Sequence, residues 1–165
     1  RLPLVAAVQG HAVGVGTTML LHCDYVLLAD DAQLITPFIN LALVPEAASS
    51  LLMPLRVGHA RAFEMFALGE PLPAAQALAW GLANRIVPAD RLHAEASAMA
   101  ARIAAKPAGS LLAMKGLMRD AETLVAQMEA ESACFEARLQ SAEAREAFSA
   151  FAQRRPADFS KVARA

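Results

Sequence analysis

The sequence has no lysine or arginine between Leu2 and Leu55, and it carries charges at helical spacing after Arg56. Charged side chains are rarely buried, so this distribution predicts that the first third forms the interior and the rest amphipathic cover. The net charge of -1 provides no basic surface that would favour nucleic acid or an anionic membrane. We therefore expect neither partner.

Long apolar runs free of charge are also missing. A membrane-spanning helix needs about 20 apolar residues without charge. The stretch 13–29 comes closest, but it contains His22 and Asp24. The two cysteines, Cys23 and Cys134, match no metal-ligand spacing, and the residues before the first apolar run lead us to expect no signal peptide. These absences predict a soluble, cytoplasmic protein with free thiols, no metal and no cofactor.

The length of 165 residues suits one domain with a sizeable core. The chain begins at Arg1 and runs directly into an apolar strand, which needs neighbours on both edges. Few other strands are visible downstream, so we expect the later part of a longer protein. The isolated chain is expected to be inactive and poorly soluble, because strand edges and apolar surface would be exposed.

Apolar runs bounded by proline or glycine predict short buried strands at 4–9, 25–29, 33–36 and 84–87. A turn with three glycines at 10–16 follows the first strand and leads into a predicted helix at 17–23. Strand, turn, helix and strand in this order predict a layered α/β core. Further predicted helices lie at 48–57, 59–68, 73–80, 90–105, 121–139 and 142–155.

Glu46 is the only acidic residue between Asp31 and Glu64, and it lies in an otherwise apolar run. Desolvation disfavours the charged form of a carboxylate in such surroundings, which lets a glutamate shuttle protons near neutral pH. The alternative is an exposed glutamate at a helix start, where the helix dipole favours negative charge. This stretch alone leaves both interpretations open.

The glycine turn places a helix start directly after a strand. Backbone N–H groups in a first helical turn lack partners within the helix and can hold a developing negative charge. Considered alone, the turn is better explained as a structural one. Gly10, Gly14 and Gly16 do not fit the dinucleotide pattern G-x-G-x-x-G, and no lysine follows for a phosphate loop.

Six segments in order resemble the crotonase (enoyl-CoA hydratase/isomerase) superfamily. They are VAAVQGHAVGVG (5–16), CDYVLLAD (23–30), QLITPF (33–38), PEAASS (45–50), GEPLPAAQALAWGLANRIV (69–87) and AFSAFAQRRPADF (147–159). The resemblance implies an α/β fold with a crotonase-like ββα core. Residues 1–88 would form the C-terminal portion of that core with the active-site loop, and residues 89–165 a helical region for trimerisation and for covering CoA.

The family binds acyl-CoA thioesters and stabilises a thioester enolate in an oxyanion hole. The resemblance assigns one donor, a backbone N–H of the glycine turn, to Val15. The resemblance implies that the second donor and most of the CoA-binding segment lie upstream of this chain. Family members assemble as trimers or pairs of trimers, which implies a homotrimer or a dimer of trimers. The implied substrate-binding residues are Val13, Gly14, Gly16, Thr18, Pro37, Phe38 and Leu43.

The family's hydratases use two glutamates, at positions that align with Thr18 and Phe38. Neither side chain can carry a proton in that role, which disfavours hydration by that mechanism. The isomerases that move a double bond from the 3 to the 2 position use one glutamate on the loop after Thr-Pro-Phe, and Glu46 matches it. Glu46 would move the proton from C2 to C4 while the Val15 N–H holds the dienolate. Shuttling needs a dry site, for which the sequence provides Phe38, Leu41, Leu43 and Val44.

Several other polar residues have a structural interpretation that we favour. His11 and His22 have no second ligand at metal spacing, so a hydrogen-bonded core histidine is expected. Asp24 is expected to be structural, and the serine pair 49–50 lacks the G-x-S-x-G elbow of a nucleophile.

The last helix of the family contacts CoA from a neighbouring subunit, which the resemblance transfers to Arg154 and Arg155 beside Phe151 and Phe159. A solvated helix end is slightly favoured by the residues alone. Two other functions stay open for the whole chain. One is a noncatalytic scaffold that binds acyl-CoA or a protein, and the other is a hydratase or hydrolase whose acid has moved upstream.

Overall fold

The structure, a computed structural model, describes residues 2–162. Its six short strands form two sheets of three. The strands are β1 (Val5–Val8), β2 (His11–Val13), β3 (Tyr25–Ala29), β4 (Gln33–Ile35), β5 (Leu72–Pro73) and β6 (Arg85–Val87). One sheet has the order β1-β3-β6 and is parallel throughout; the other has the order β2-β4-β5, with β5 antiparallel.

The prediction of a continuous turn at 10–16 is wrong, because residues 11–13 form strand β2. The chain turns at Gly10, whose φ is 59°, and then pairs again with His11 opposite Gln33 and Val13 opposite Ile35. A three-residue strand between glycines has too short a pattern to be recognised without its partner. The second turn, at Gly14, leads into the first helix.

Eight α-helices account for most of the rest of the described chain. They are α1 (Val15–Thr18), α2 (Ser49–Val57), α3 (His59–Leu68), α4 (Ala74–Ala79), α5 (Leu92–Ala104), α6 (Ala108–Met118), α7 (Ala121–Leu139) and α8 (Ala142–Ala152). Single 3-10 turns lie at Met19–His22, Ile39–Leu41, Ala89–Arg91 and Phe159–Lys161. The helix predicted at 17–23 therefore begins two residues earlier and tightens into a 3-10 turn.

Local residues explain several helix ends. Helix α3 ends at Gly69, whose φ of 62° is a left-handed conformation that glycine adopts without penalty. The Asp120 carboxylate caps α7 by accepting from the N–H groups of Glu122 and Thr123. Helix α2 has no such cap from its own N-cap residue, because that residue is Ala48, whose side chain has no hydrogen-bond acceptor.

The core lies on both faces of β3. Val26 and Leu28 face a cluster with α2, α3 and α4, whereas Leu27 and Ala29 contact Leu92 of α5. Leu28 has 0% exposure, and burying such a side chain contributes about 1.5–3 kcal/mol. This arrangement confirms the prediction of a buried strand at 25–29, whereas β1, predicted to be buried as well, is only partly buried.

Helix α5 packs against the sheet, so the helical region is in contact with the strands from its first turns. The division of the chain at residue 88 stays a prediction. Among residues 2–162, no helix combines the length and the apolarity that crossing a bilayer demands.

Candidate active site

The carboxylate of Glu46 is held by a side chain of helix α1. The Thr18 hydroxyl donates a hydrogen bond of 2.5 Å to Glu46 Oε1. Thr18 is fully buried and Glu46 is half-buried, in the loop that precedes α2. The carboxylate therefore has a defined position next to α1, at the boundary between core and surface.

Helix α1 begins at Val15, one turn before Thr18. Gly14 precedes it with φ 56° and ψ -118°, a conformation that only glycine adopts readily. Within the described chain, no backbone or side-chain acceptor takes the N–H of Val15, as expected for the first residue of a helix. Val15 is 61% exposed, so this side of the turn faces solvent.

Strand β4 anchors the start of α1. The N–H of Gly14 donates to the Ile35 carbonyl at 2.9 Å. The buried Thr17 hydroxyl donates to the Ala12 carbonyl at 2.6 Å and accepts from the Ile35 N–H at 3.0 Å. These bonds fix the direction of the Val15 N–H. No motif in the sequence pointed to Thr17.

Phe38 and Leu43 form an apolar turn next to this strand. Both side chains are buried, and the Leu43 N–H donates to the Phe38 carbonyl at 2.8 Å. The Phe38 ring meets Phe66 edge to face at 6.3 Å. Pro37 packs so closely on α3 that a Cβ added at Gly69 would lie 3.1 Å from the Pro37 Cα.

The structure thus brings Thr18 and Glu46 into direct contact, with Val15 on the same short helix. Val13 is 47% exposed at the end of β2, and Gly16 faces Ala12, whose Cβ would lie 3.8 Å from an added Cβ. The catalytic and substrate-binding roles of the nine predicted residues stay predictions.

Three structural interpretations can be compared with the contacts. His22 Nε2 lies 2.7 Å from the Ala47 carbonyl, which confirms a hydrogen-bonded histidine there. His11 is exposed, because alternation along β2 directs Ala12 inward and its neighbours outward, so the core prediction is wrong for His11. Asp24 accepts from the Leu4 N–H and pairs with Lys115, which agrees with a structural role.

Arg155 is engaged within the chain. Its guanidinium donates two hydrogen bonds to the Glu146 carboxylate, at 2.6 and 3.0 Å, and the Asp158 N–H donates a third. The hydrogen bonds from Arg155 and from the Asp158 N–H lower the pKa of Glu146 to about 2. Phe151 is 76% exposed on α8. The contact with CoA inferred for this helix end stays a prediction.

Cavities of about 440 and 530 Å³ lie along α6, and neither is lined by Glu46 or Val15. Among the residues that the structure describes, no group of three or more His, Cys, Asp or Glu side chains could hold a metal ion. The arrangement at Glu46 is suited to acid–base and hydrogen-bonding chemistry.

Comparison with known proteins identifies the family. Residues 1–162 match the model of the enoyl-CoA hydratase/isomerase family. A probable enoyl-CoA hydratase of Rhizobium meliloti (strain 1021) is 32% identical, over 96% of this chain and 63% of that protein. Enoyl-CoA delta isomerase 2 of Rattus norvegicus is 37% identical, over 93% of this chain and 40% of that protein.

The crystal structure of an enoyl-CoA hydratase/isomerase from Pseudoalteromonas atlantica T6c superimposes with a TM-score of 0.92. It is 43% identical, over 95% of this chain and 64% of that one. The fold is therefore of the crotonase type, an α/β core followed by helices, as the resemblance implied. The chain belongs to the enoyl-CoA hydratase/isomerase family, and it spans less than two thirds of the length of these relatives.

Proposed function

We propose that the protein isomerises 3-enoyl-CoA to trans-2-enoyl-CoA, with Glu46 as the only proton shuttle and the Val15 N–H as an oxyanion donor. The observation that carries this proposal is the 2.5 Å bond between Thr18 and Glu46. That bond holds the single carboxylate of the loop against the helix whose first N–H lacks an acceptor within the described chain.

In the proposed reaction the Glu46 carboxylate removes a proton from C2 of the bound thioester. The electron pair delocalises into the thioester carbonyl, and the Val15 N–H stabilises the resulting dienolate oxygen. Glu46 then returns the proton to C4, the double bond moves to the 2 position, and the carboxylate is regenerated. One base suffices because both carbons lie on the same face, so neither water nor a cofactor is consumed.

Two positions argue against hydration by a pair of glutamates. The Thr18 hydroxyl already donates to Glu46, and the Phe38 side chain is buried against Phe66. Phe38 and Leu43 also support a site from which water is excluded. The relatives include a probable hydratase and an isomerase, so our choice between the two reactions rests on these residues.

The activity can be tested on the full-length parent protein with 3-enoyl-CoA as substrate. Glu46→Gln keeps the size of the side chain but removes its basicity, and we expect the turnover number to fall by about 10²–10⁴-fold, as is usual for loss of a general base. Glu64→Gln makes the same change of charge on the exposed surface of α3 and serves as the control. Equal rates for wild type and Glu46→Gln would refute this mechanism.

The alternatives give different products. In water labelled with ¹⁸O, isomerisation of 3-enoyl-CoA leaves the product unlabelled, whereas hydration of 2-enoyl-CoA places the label on C3. A noncatalytic scaffold would bind acyl-CoA without converting it in either assay.

We also infer a homotrimer or a dimer of trimers. Large apolar side chains that support association include Phe63 of α3, Leu117 of α6 and Phe151 of α8, which are 64%, 91% and 76% exposed. Light scattering of the full-length parent distinguishes these assemblies from a monomer.

A further inference from the structure

We propose that Glu131, on helix α7, is a positioning residue that sets the conformation of the loop bearing Glu46. This inference rests on the proposed function for its effect on catalysis, but the contact itself is independent of the reaction. Glu131 lies 85 positions after Glu46, and neither its residue type nor its surroundings in the sequence indicates the contact.

The Glu131 carboxylate accepts hydrogen bonds at the beginning of α2. Oε2 accepts from the Ala48 N–H at 2.6 Å, and Oε1 accepts from the Ser50 N–H at 2.9 Å. The Ser50 hydroxyl makes a third, short bond to Oε1. Gln127, one helical turn before Glu131, donates to that hydroxyl at 2.8 Å. Both carboxylate oxygens therefore bind the segment that follows Glu46.

This carboxylate replaces a missing helix cap. The N-cap of α2, Ala48, has no side-chain acceptor, although the first N–H groups of a helix need one. The positive end of the helix dipole also favours an anion at this place. Glu131 is 6% exposed and is the only residue of α7 that is buried. A buried charge is tolerated only when it is paired or hydrogen-bonded, so the contact is specific to the carboxylate.

The bound segment has an unfavourable backbone. Ala47 and Ala48, the two residues after Glu46, have φ of 60° and 55°. Non-glycine residues are strained in this region and persist there only when the surroundings enforce them. Glu131 enforces the conformation from the α7 side, and the contact of His22 with the Ala47 carbonyl enforces it from the core side. The direction of the Glu46 side chain depends on these two backbone positions.

The test uses Glu131→Gln in the full-length parent protein. The amide keeps the shape of the side chain, but its NH₂ group faces an N–H donor where an oxygen accepted before. We expect the turnover number to fall at least tenfold and up to about 100-fold, since a displacement of about 1 Å at a catalytic group has that effect. KM is expected to stay near the wild-type value, because Glu131 is not placed in contact with substrate.

Amide hydrogen exchange provides a readout that does not require activity. In Glu131→Gln the backbone amide hydrogens of Ala48 and Ser50 should exchange at least tenfold faster than in the wild type. The amide hydrogens of β3 should exchange at the wild-type rate. Glu129→Gln, on the exposed surface of the same helix, makes the same change of charge and should change neither exchange nor turnover. An unchanged turnover number in Glu131→Gln overturns the proposal, whether or not the loop exchanges faster.

A second variant covers the case in which Glu131→Gln does not fold. Ser50→Ala removes one of the bonds to the carboxylate and should lower turnover by a smaller factor with KM unchanged; wild-type turnover there would overturn the proposal.

If the wild-type parent shows no isomerase activity, the proposed function fails by itself. A crystal structure of Glu131→Gln then decides: loss of the Thr18–Glu46 bond supports positioning by Glu131, and an intact bond overturns it.

Discussion

Thr18 and Glu46 are 28 residues apart in the sequence, and the hydroxyl of one donates to the carboxylate of the other at 2.5 Å. The bond joins the helix that follows the glycine turn to the loop that precedes α2. It therefore couples the two parts of the proposed chemistry, the backbone donor at Val15 and the carboxylate at Glu46.

Replacing Thr18 by valine tests this coupling. The isosteric side chain keeps the packing but removes the donor, and a hydrogen bond to a charged group contributes about 1.5–3 kcal/mol. We expect the turnover number of the full-length parent with 3-enoyl-CoA to fall by about tenfold, with little change in KM. Thr18→Ser keeps the hydroxyl and should retain most of the activity. A valine variant as active as wild type would show that the bond does not orient Glu46.

Gly14→Ala tests the backbone at the glycine turn. No atom would meet the new Cβ within 4 Å, but φ 56° with ψ -118° is strained for any L-residue. We expect the free energy of unfolding to fall by about 1–3 kcal/mol in urea titrations. Gly116→Ala, within the last turn of α6 with open space around it, should instead raise it by about 0.5–1 kcal/mol. Equal effects of the two substitutions would contradict the conformational explanation.

Ala47→Gly tests the strain in the loop. Glycine tolerates the φ of 60° and relieves a cost of about 1–2 kcal/mol, but it also gains freedom in the unfolded chain. We expect a net increase of up to about 1 kcal/mol in the free energy of unfolding. The control Ala126→Gly, on the exposed face of α7, should lower it by about 1 kcal/mol. If both variants were destabilised equally, Ala47 would not be strained.

The Asp24–Lys115 ion pair predicts a pH dependence of stability. Burial acts to raise the pKa of the Asp24 carboxyl, but the hydrogen bonds from Lys115 and from the Leu4 N–H outweigh it and lower the pKa below its ordinary value. The folded state thus binds the proton less readily than the unfolded state. The stabilisation is complete above the ordinary aspartate pKa of about 3.9 and disappears as the pH falls through the lower folded-state value.

A double-mutant cycle measures this contribution. The Asp24 and Lys115 side chains are 25% and 19% exposed, so solvent screens the pair in part. We expect Asp24→Asn and Lys115→Gln to show a coupling of about 1 kcal/mol at pH 7, measured by urea unfolding. The coupling should be smaller near pH 3. A coupling that stays constant or grows on acidification would contradict the assignment.

Much of the fold could be predicted from short-range pattern. The strand at 25–29 agrees with β3, because an apolar run between turn signals is typical of a buried strand. The end of helix α3 at Gly69 was also predicted from the sequence, because glycine commonly terminates a helix. Strand β2 was missed, because three residues between glycines acquire their structure only by pairing with β4.

The candidate site was predictable in its residue types and not in its contacts. Glu46 was conspicuous as a lone carboxylate, and the family pattern pointed to Val15 and Thr18. The pattern did not indicate that Thr18 donates to Glu46. Nor did it indicate Glu131, because a glutamate on a mostly exposed helix looks like any other solvated charge.

The sequence by itself determined most of the strands and helices, which residue is the isolated acid, and which family the chain belongs to. These properties depend on neighbours within a few positions, or on an ordered set of motifs. Only the tertiary structure decided which side chains hold that acid and its loop: Thr18, His22 and Glu131. Their partners are 25 or more positions away, and periodicity indicates which face of an element is buried but not what it meets there.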